Sequence, residues 1–159
     1  MIPRRLFLMA GLASLIAPMA RAAEFEITLT AAEWKKRLSP ARYAVLREHA
    51  TERAFSNSLM GESSDLLAES RRGRYHCAGC NLPVYGSDAK YDSKTGWPSF
   101  WEALPDAVGY AEDRTLFARR TEVHCRRCGG HLGHVFDDGP KPTGKRHCIN
   151  GLALAFVAA

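Results

Sequence analysis

No apolar run in this 159-residue chain is long enough to cross a membrane. The longest, Leu6 to Ala17, has 12 residues, where a helical span takes about 20. A surplus of one charge is also missing. The formal balance is +5, but Arg4, Arg5 and Arg21 all lie in the first 22 residues, and setting them aside leaves 19 basic groups against 17 acidic ones, or +2. That is not the balance of a polyanion binder, so nucleic acid is excluded as a partner. There is no low-complexity segment, and no internal repeat beyond two Cys-x-x-Cys units. With 46% apolar and 25% charged residues, the chain has ordinary globular composition and the length of one domain.

What stands at the start is an address. Arg4-Arg5 precede the apolar run, and Pro18 and Ala20-Arg21-Ala22 follow it. This is the layout of a cleavable export signal with a small-x-small cleavage pattern. Paired arginines followed by Phe7-Leu8 resemble the twin-arginine signal, which sends folded proteins across a bacterial inner membrane. The expectation is a signal peptide over residues 1–22, a single domain over 23–159, and a periplasmic destination reached through the twin-arginine machinery. An ordinary secretion signal that carries two arginines is the alternative.

Two short helices should open the domain. Thr30 and Glu33 have capping-box spacing, with Trp34 and Leu38 on one face behind them. Ser39-Pro40 starts a second helix, whose buried side would be Tyr43, Val45 and Leu46. From Thr51 to Arg74 the chain is polar and aperiodic, and reads as an extended wrap. Beyond Arg74, short apolar runs alternate with Gly, Pro and Asp: Tyr75–Cys77, Leu82–Tyr85, Phe100–Leu104, Leu116–Arg119, Glu122–His124, Leu132–Phe136 and Leu152–Val157. That rhythm predicts a mainly β, antiparallel domain.

Four of the five cysteines form pairs, Cys77/Cys80 and Cys125/Cys128. Glycine in or just after each two-residue gap lets both sulfurs of a pair face one ion, and two such turns complete a tetrahedron. The 44 residues between the pairs are no obstacle, since the turns need only meet in space. One structural Zn2+ is expected, closed by four thiolates with no open position. Disulfides within each pair are the alternative that an oxidising compartment encourages.

Cys148 is left over, within Arg146-His147-Cys148-Ile149-Asn150. A thiol attacks as the thiolate, and a neighbouring guanidinium favours that form. A buried structural thiol is the competing reading. His131 and His134 have the chemistry of proton donors. Gly96-Trp97-Pro98-Ser99-Phe100 offers aromatic faces for an apolar or sulfur-bearing group. Asp138 opens a Gly- and Pro-rich loop that leads to the thiol, and it can orient a histidine or an arginine.

Taken together, GWPSF (96–100), TEV (121–123), HLGHVF (131–136), DGPxPTG (138–144), RxCIN (146–150) and the two cysteine pairs resemble the B-type peptide methionine sulfoxide reductases from about Leu38 to Phe156. The resemblance implies two antiparallel β-sheets with short N-terminal helices, stapled by zinc. It also implies reduction of the R epimer of methionine sulfoxide in oxidised proteins or peptides. Carried over, Cys148 is the nucleophile and Cys77, Cys80, Cys125 and Cys128 hold zinc. Trp97 and Phe100 contact the substrate; His131, His134 and Asn150 surround the sulfoxide oxygen; Arg146 and Asp138 shape the field at the sulfur. Attack would leave Cys148 as a sulfenic acid.

Two positions depart from the family pattern. Thr95 stands where many members carry a resolving cysteine, so the sulfenic acid should be reduced directly by an external, thioredoxin-like thiol. His147 replaces the more usual Tyr or Phe. An exported zinc-binding redox sensor or binding module is the alternative function.

Overall fold

The computed structural model describes residues 25–115 and 119–159. The export signal expected over residues 1–22 lies outside them, as does most of the run from Leu116 to Arg119.

Both predicted helices form, and their caps are the reason. In α1 (Ala31–Arg37) the Thr30 hydroxyl accepts from the Glu33 N–H at 3.3 Å, and the Glu33 carboxylate accepts from the Thr30 N–H at 2.8 Å. α2 (Pro40–Glu48) starts with the Ser39 hydroxyl accepting from the Arg42 N–H. It ends at His49, which adopts the left-handed conformation with φ 58°. Trp34 and Leu38 are buried as the spacing predicts. The inner face of α2 is Ala41, Ala44, Val45 and Leu46. Tyr43, expected on that face, is only half-buried, and the Lys35 ammonium lies over its ring.

The polar wrap that follows is not wholly extended. It carries a hairpin of β1 (Ser58–Leu59) and β2 (Glu62–Ser63), then a single 3-10 turn at Asp65–Leu67.

The rest is antiparallel sheet. β3 (Gly73–Cys77), β4 (Pro83–Gly86) and β11 (Leu154–Ala158) form one sheet in the order β11-β3-β4. The larger sheet holds β5 (Lys90–Tyr91), β6 (Ser99–Phe100), β7 (Val108–Asp113), β8 (Arg120–Cys125), β9 (His131–Phe136) and β10 (Arg146–Ile149). Its order is β5-β6-β10-β9-β8-β7. The expected fold of two antiparallel sheets with short N-terminal helices is therefore present, with the β1-β2 hairpin added.

Aromatic rings join the sheets. Phe100 stacks on Tyr85 at 4.3 Å between centroids and meets Tyr75 edge-on at 4.9 Å. Such pairs contribute about 0.5–1.5 kcal/mol each beyond their burial. Leu46, Leu132, Ile149 and Leu152 extend this core beneath β9 and β10.

The second tie between sheets is sulfur. Cys77 ends β3 and Cys125 ends β8, and the two turns that follow share one hydrogen-bond pattern. Cys77 N–H donates to Leu82 O while Cys77 O accepts from Asn81; Cys125 N–H donates to Gly130 O while Cys125 O accepts from Gly129. Asn81 and Gly129, at matching places, both have positive φ. Arg47 of α2 donates to Cys128 O at 3.0 Å, which docks the helix on the second turn.

Candidate active site

β10 lies between β6 and β9, and this placement builds the site. Residues directly opposite in an antiparallel pair share a face. Cys148 pairs with His134 on one side and with Ser99 on the other. Arg146 pairs with Phe136 on that same face. Gly133 makes the close approach possible, because a Cβ there would strike the Cys148 carbonyl oxygen. The half-buried Cys148 thiol opens into a cavity of about 120 Å³ lined by Trp97, Phe136, His134, Arg120 and Asn150. A larger hollow of about 640 Å³, running from Phe55 to Pro98, contains no cysteine or histidine.

Each lining group is held from behind. The Trp97 indole N–H donates to Glu52 O at 3.0 Å, and the Asn150 amide oxygen accepts from Glu52 N–H at 3.1 Å. The Glu52 side chain is fully buried, and its carboxylate accepts from the N–H groups of Gly151 at 2.6 Å and Leu152 at 3.0 Å. Burial pushes the Glu52 carboxyl pKa up, and those two N–H groups partly offset it. One residue thus ties the Trp97 turn to the strand end that carries Asn150.

His134 Nε2–H donates to Asp113 Oδ2 at 2.7 Å, and Arg120 donates to the same oxygen at 2.7 Å. Thr115 and His134 hold the Asp113 carboxyl well below the usual carboxylate range. For His134, burial lowers the pKa more than Asp113 raises it. His131 lies one step behind. Its Nδ1–H donates to Glu122 Oε1 at 2.7 Å, its ring is 5.3 Å from that of His134, and its buried Nε2 has no partner among the described residues.

Cys148 has two helpers. The Thr95 hydroxyl is 4.0 Å from Sγ, at the end of a hydroxyl chain through Ser93 (2.8 Å) to Ser99 (2.7 Å). Arg146 grips Asp138 with two bonds of 2.8 Å each, and its guanidinium lies 4.4 Å from the Phe136 ring centroid. Even so the thiol pKa is raised, not lowered as the neighbouring guanidinium suggests. Burial outweighs Thr95 and Arg146, and Asp138 dilutes the cation.

The structure gathers Cys148, Trp97, His134 and Asn150 around one cavity, with Arg146 and Asp138 beside the thiol and His131 behind His134. Phe100 is a correction. It points to the opposite face of β6 from Ser99, is fully buried, and packs between Tyr75 and Tyr85. Phe136 supplies the second aromatic wall instead. Glu52, Asp113 and Arg120 were not singled out by sequence. They act through register and hydrogen bonds that no local spacing encodes.

The four paired cysteines are buried, free and within 4.8 Å of one another. Cys77 Sγ lies 3.7 Å from Cys128 Sγ, and Cys80 Sγ 3.5 Å from Cys125 Sγ. A disulfide is about 2.0 Å long. A tetrahedral ion with bonds of about 2.3 Å to sulfur has edges of about 3.8 Å. The set fits a closed four-sulfur metal site, and the disulfide alternative does not describe it.

Residues 38–158 match the SelR domain model. The chain is 50% identical over 125 residues to a peptide methionine sulfoxide reductase MsrB of Methanosarcina barkeri, covering 78% of this chain and 83% of that protein. It is 52% identical over 128 residues to the protein of the same name from Thiobacillus denitrificans, covering 80% and 92%. It is also 44% identical over 131 residues to peptide methionine sulfoxide reductase B1, chloroplastic, of Oryza sativa, covering 82% and 58%.

Proposed function

The chain belongs to the SelR-domain family, and from that premise we propose that it reduces the R epimer of peptide-bound methionine sulfoxide through Cys148. The observation that carries the reading is Cys148 facing His134 across β9 and β10 in a cavity walled by Trp97 and Phe136. Flat aromatic walls suit the S-methyl group of the substrate.

The pKa directions favour a specific proton route. Burial raises the Cys148 thiol and lowers His134, so both rest uncharged. As Cys148 Sγ bonds to the sulfoxide oxygen, that oxygen's bond to the methionine sulfur breaks. The thiol proton passes by way of His134 to the oxygen, and no net charge is buried. The methionine sulfur is reduced and Cys148 becomes a sulfenic acid. Asp113 keeps Nε2 of His134 committed to a donor role, while Arg120 and Asn150 line the cavity that would take the oxygen. Two external thiols then return Cys148 to the thiol, releasing a disulfide and water. Thr95 offers no sulfur, so a thioredoxin-like reductant acts on the sulfenic acid itself.

The four-sulfur set would hold Zn2+, a structural ion that locks β3 to β8. Arg4-Arg5 and the run behind them support export to the periplasm by the twin-arginine route. Changing the pair to Lys-Lys should keep the protein inside, and active periplasmic protein would disprove that route.

The functional test is dithiothreitol-driven reduction of peptides carrying the separate sulfoxide epimers. The R peptide should be converted, the S peptide left, and Cys148→Ser inert. Equal use of both epimers, or turnover by Cys148→Ser, would overturn the reading.

A further inference from the structure

On the exposed side of the His131 pair lies a second cluster of metal-ligating groups, free of sulfur. Glu122 Oε1 is 2.7 Å from His131 Nδ1 and 3.2 Å from His49 Nδ1. The two imidazole rings are 4.7 Å apart and tilted by only 33°. All three donor atoms lie within 4.8 Å of one another. We propose that His49, Glu122 and His131 form a second divalent transition-metal site, separate from the four cysteines.

Two imidazoles and one carboxylate, with remaining positions open to water, make a set that suits borderline ions such as Zn2+, Co2+, Ni2+ or Cu2+. Donors around a tetrahedral ion with bonds of about 2.0–2.1 Å sit about 3.3–3.4 Å apart; the His49–Glu122 separation of 3.2 Å matches this, and the hydrogen-bonded Glu122–His131 pair at 2.7 Å would open slightly to admit the ion. The burial is graded in the way a loading site needs. The His131 side chain is 1% exposed, Glu122 14% and His49 62%. Three different elements supply the donors: β9 gives His131, β8 gives Glu122, and the left-handed end of α2 gives His49. Preorganisation comes from the fold, because Ala50 N–H closes the helix end on Ala44 O. An ion here replaces the His131 Nδ1 proton now donated to Glu122. On the function proposed above it also immobilises the ring behind His134, so a filled site slows turnover.

The test uses zinc-loaded full protein titrated with Co2+. Visible ligand-field bands without thiolate-to-cobalt charge transfer mark a nitrogen–oxygen site, since cobalt at the cysteines brings that charge transfer with it. Wild type should take up one such cobalt per chain and lose turnover as it binds. His49→Asn keeps a residue that tolerates positive φ and should bind cobalt at least about 10-fold more weakly. No cobalt beyond the cysteine site, or equal uptake by His49→Asn, would overturn the proposal.

Discussion

Removing the Glu52 carboxylate should be the most damaging change that touches no reacting atom. Its two oxygens satisfy the N–H groups of Gly151 and Leu152 in a fully buried setting. Hydrogen bonds to a charged acceptor contribute about 1.5–3 kcal/mol each, and Glu52→Ala leaves both donors unpaired. Burial of the carboxylate opposes this, as its raised pKa shows, so the net loss should be about 2–4 kcal/mol. For a domain of this size each kcal/mol moves the midpoint by about 4 °C, so the melting temperature should fall by about 8–16 °C. Glu52→Gln keeps one acceptor and turns an amide donor toward the other N–H, so it should lose about half as much. The backbone of Glu52 also holds Trp97 and Asn150. KM for a sulfoxide peptide should therefore rise in both variants at temperatures where they remain folded. Calorimetry and steady-state kinetics on metal-loaded protein read the two effects. A Glu52→Ala variant melting within about 2 °C of wild type would show that the carboxylate does not hold the Gly151–Leu152 turn.

Three further outcomes follow from single contacts. The Thr95 hydroxyl is 4.0 Å from Cys148 Sγ, so Thr95→Cys should yield an internal disulfide after one turnover, seen by mass spectrometry, where wild type yields none. His147 is buried against the Tyr85 hydroxyl at 3.1 Å, and burial pulls its pKa down to about 4. Between that value and the unfolded value of about 6.5, only the unfolded chain binds the proton. Stability is therefore lost as pH falls through this window, by about 3 kcal/mol. His147→Phe should flatten that part of the stability–pH curve in denaturant titrations, whatever its effect at neutral pH. Stripping the four-sulfur ion with a chelator and a mercurial should abolish the cooperative melt, because structural zinc of this kind carries about 10 kcal/mol or more of folding free energy.

The residues that announced themselves in the sequence did so through short-range rules. Thr30 and Glu33, Ser39 and Pro40, and the two cysteine pairs each act within a few residues, and all behave as spacing predicts. Cys148 and His134 are legible as chemistry, but only the β9–β10 register makes them face each other. Phe100 belongs to the core although GWPSF reads along the chain as one aromatic surface. In a strand of period two, Ser99 faces the thiol and its neighbour must turn to the core. Asp113 and Arg120 meet through the β7–β8 pairing, which a sequence without helical or turn punctuation does not reveal. Glu52 lies in a stretch without period, and its partners are 45 to 100 positions away. The lowered thiol pKa expected from Arg146 failed for a physical reason: proximity in sequence says nothing about burial.

Trapping the first turnover shows whether the oxygen passes to Cys148. The fully reduced, metal-loaded protein is mixed with a methionine-R-sulfoxide peptide and a sulfenic-acid probe such as dimedone, with no other thiol present. The account predicts one methionine formed per chain and the probe attached to Cys148 alone. Methionine produced with Cys148 left unmodified, or the probe found on one of the four paired cysteines, would contradict it.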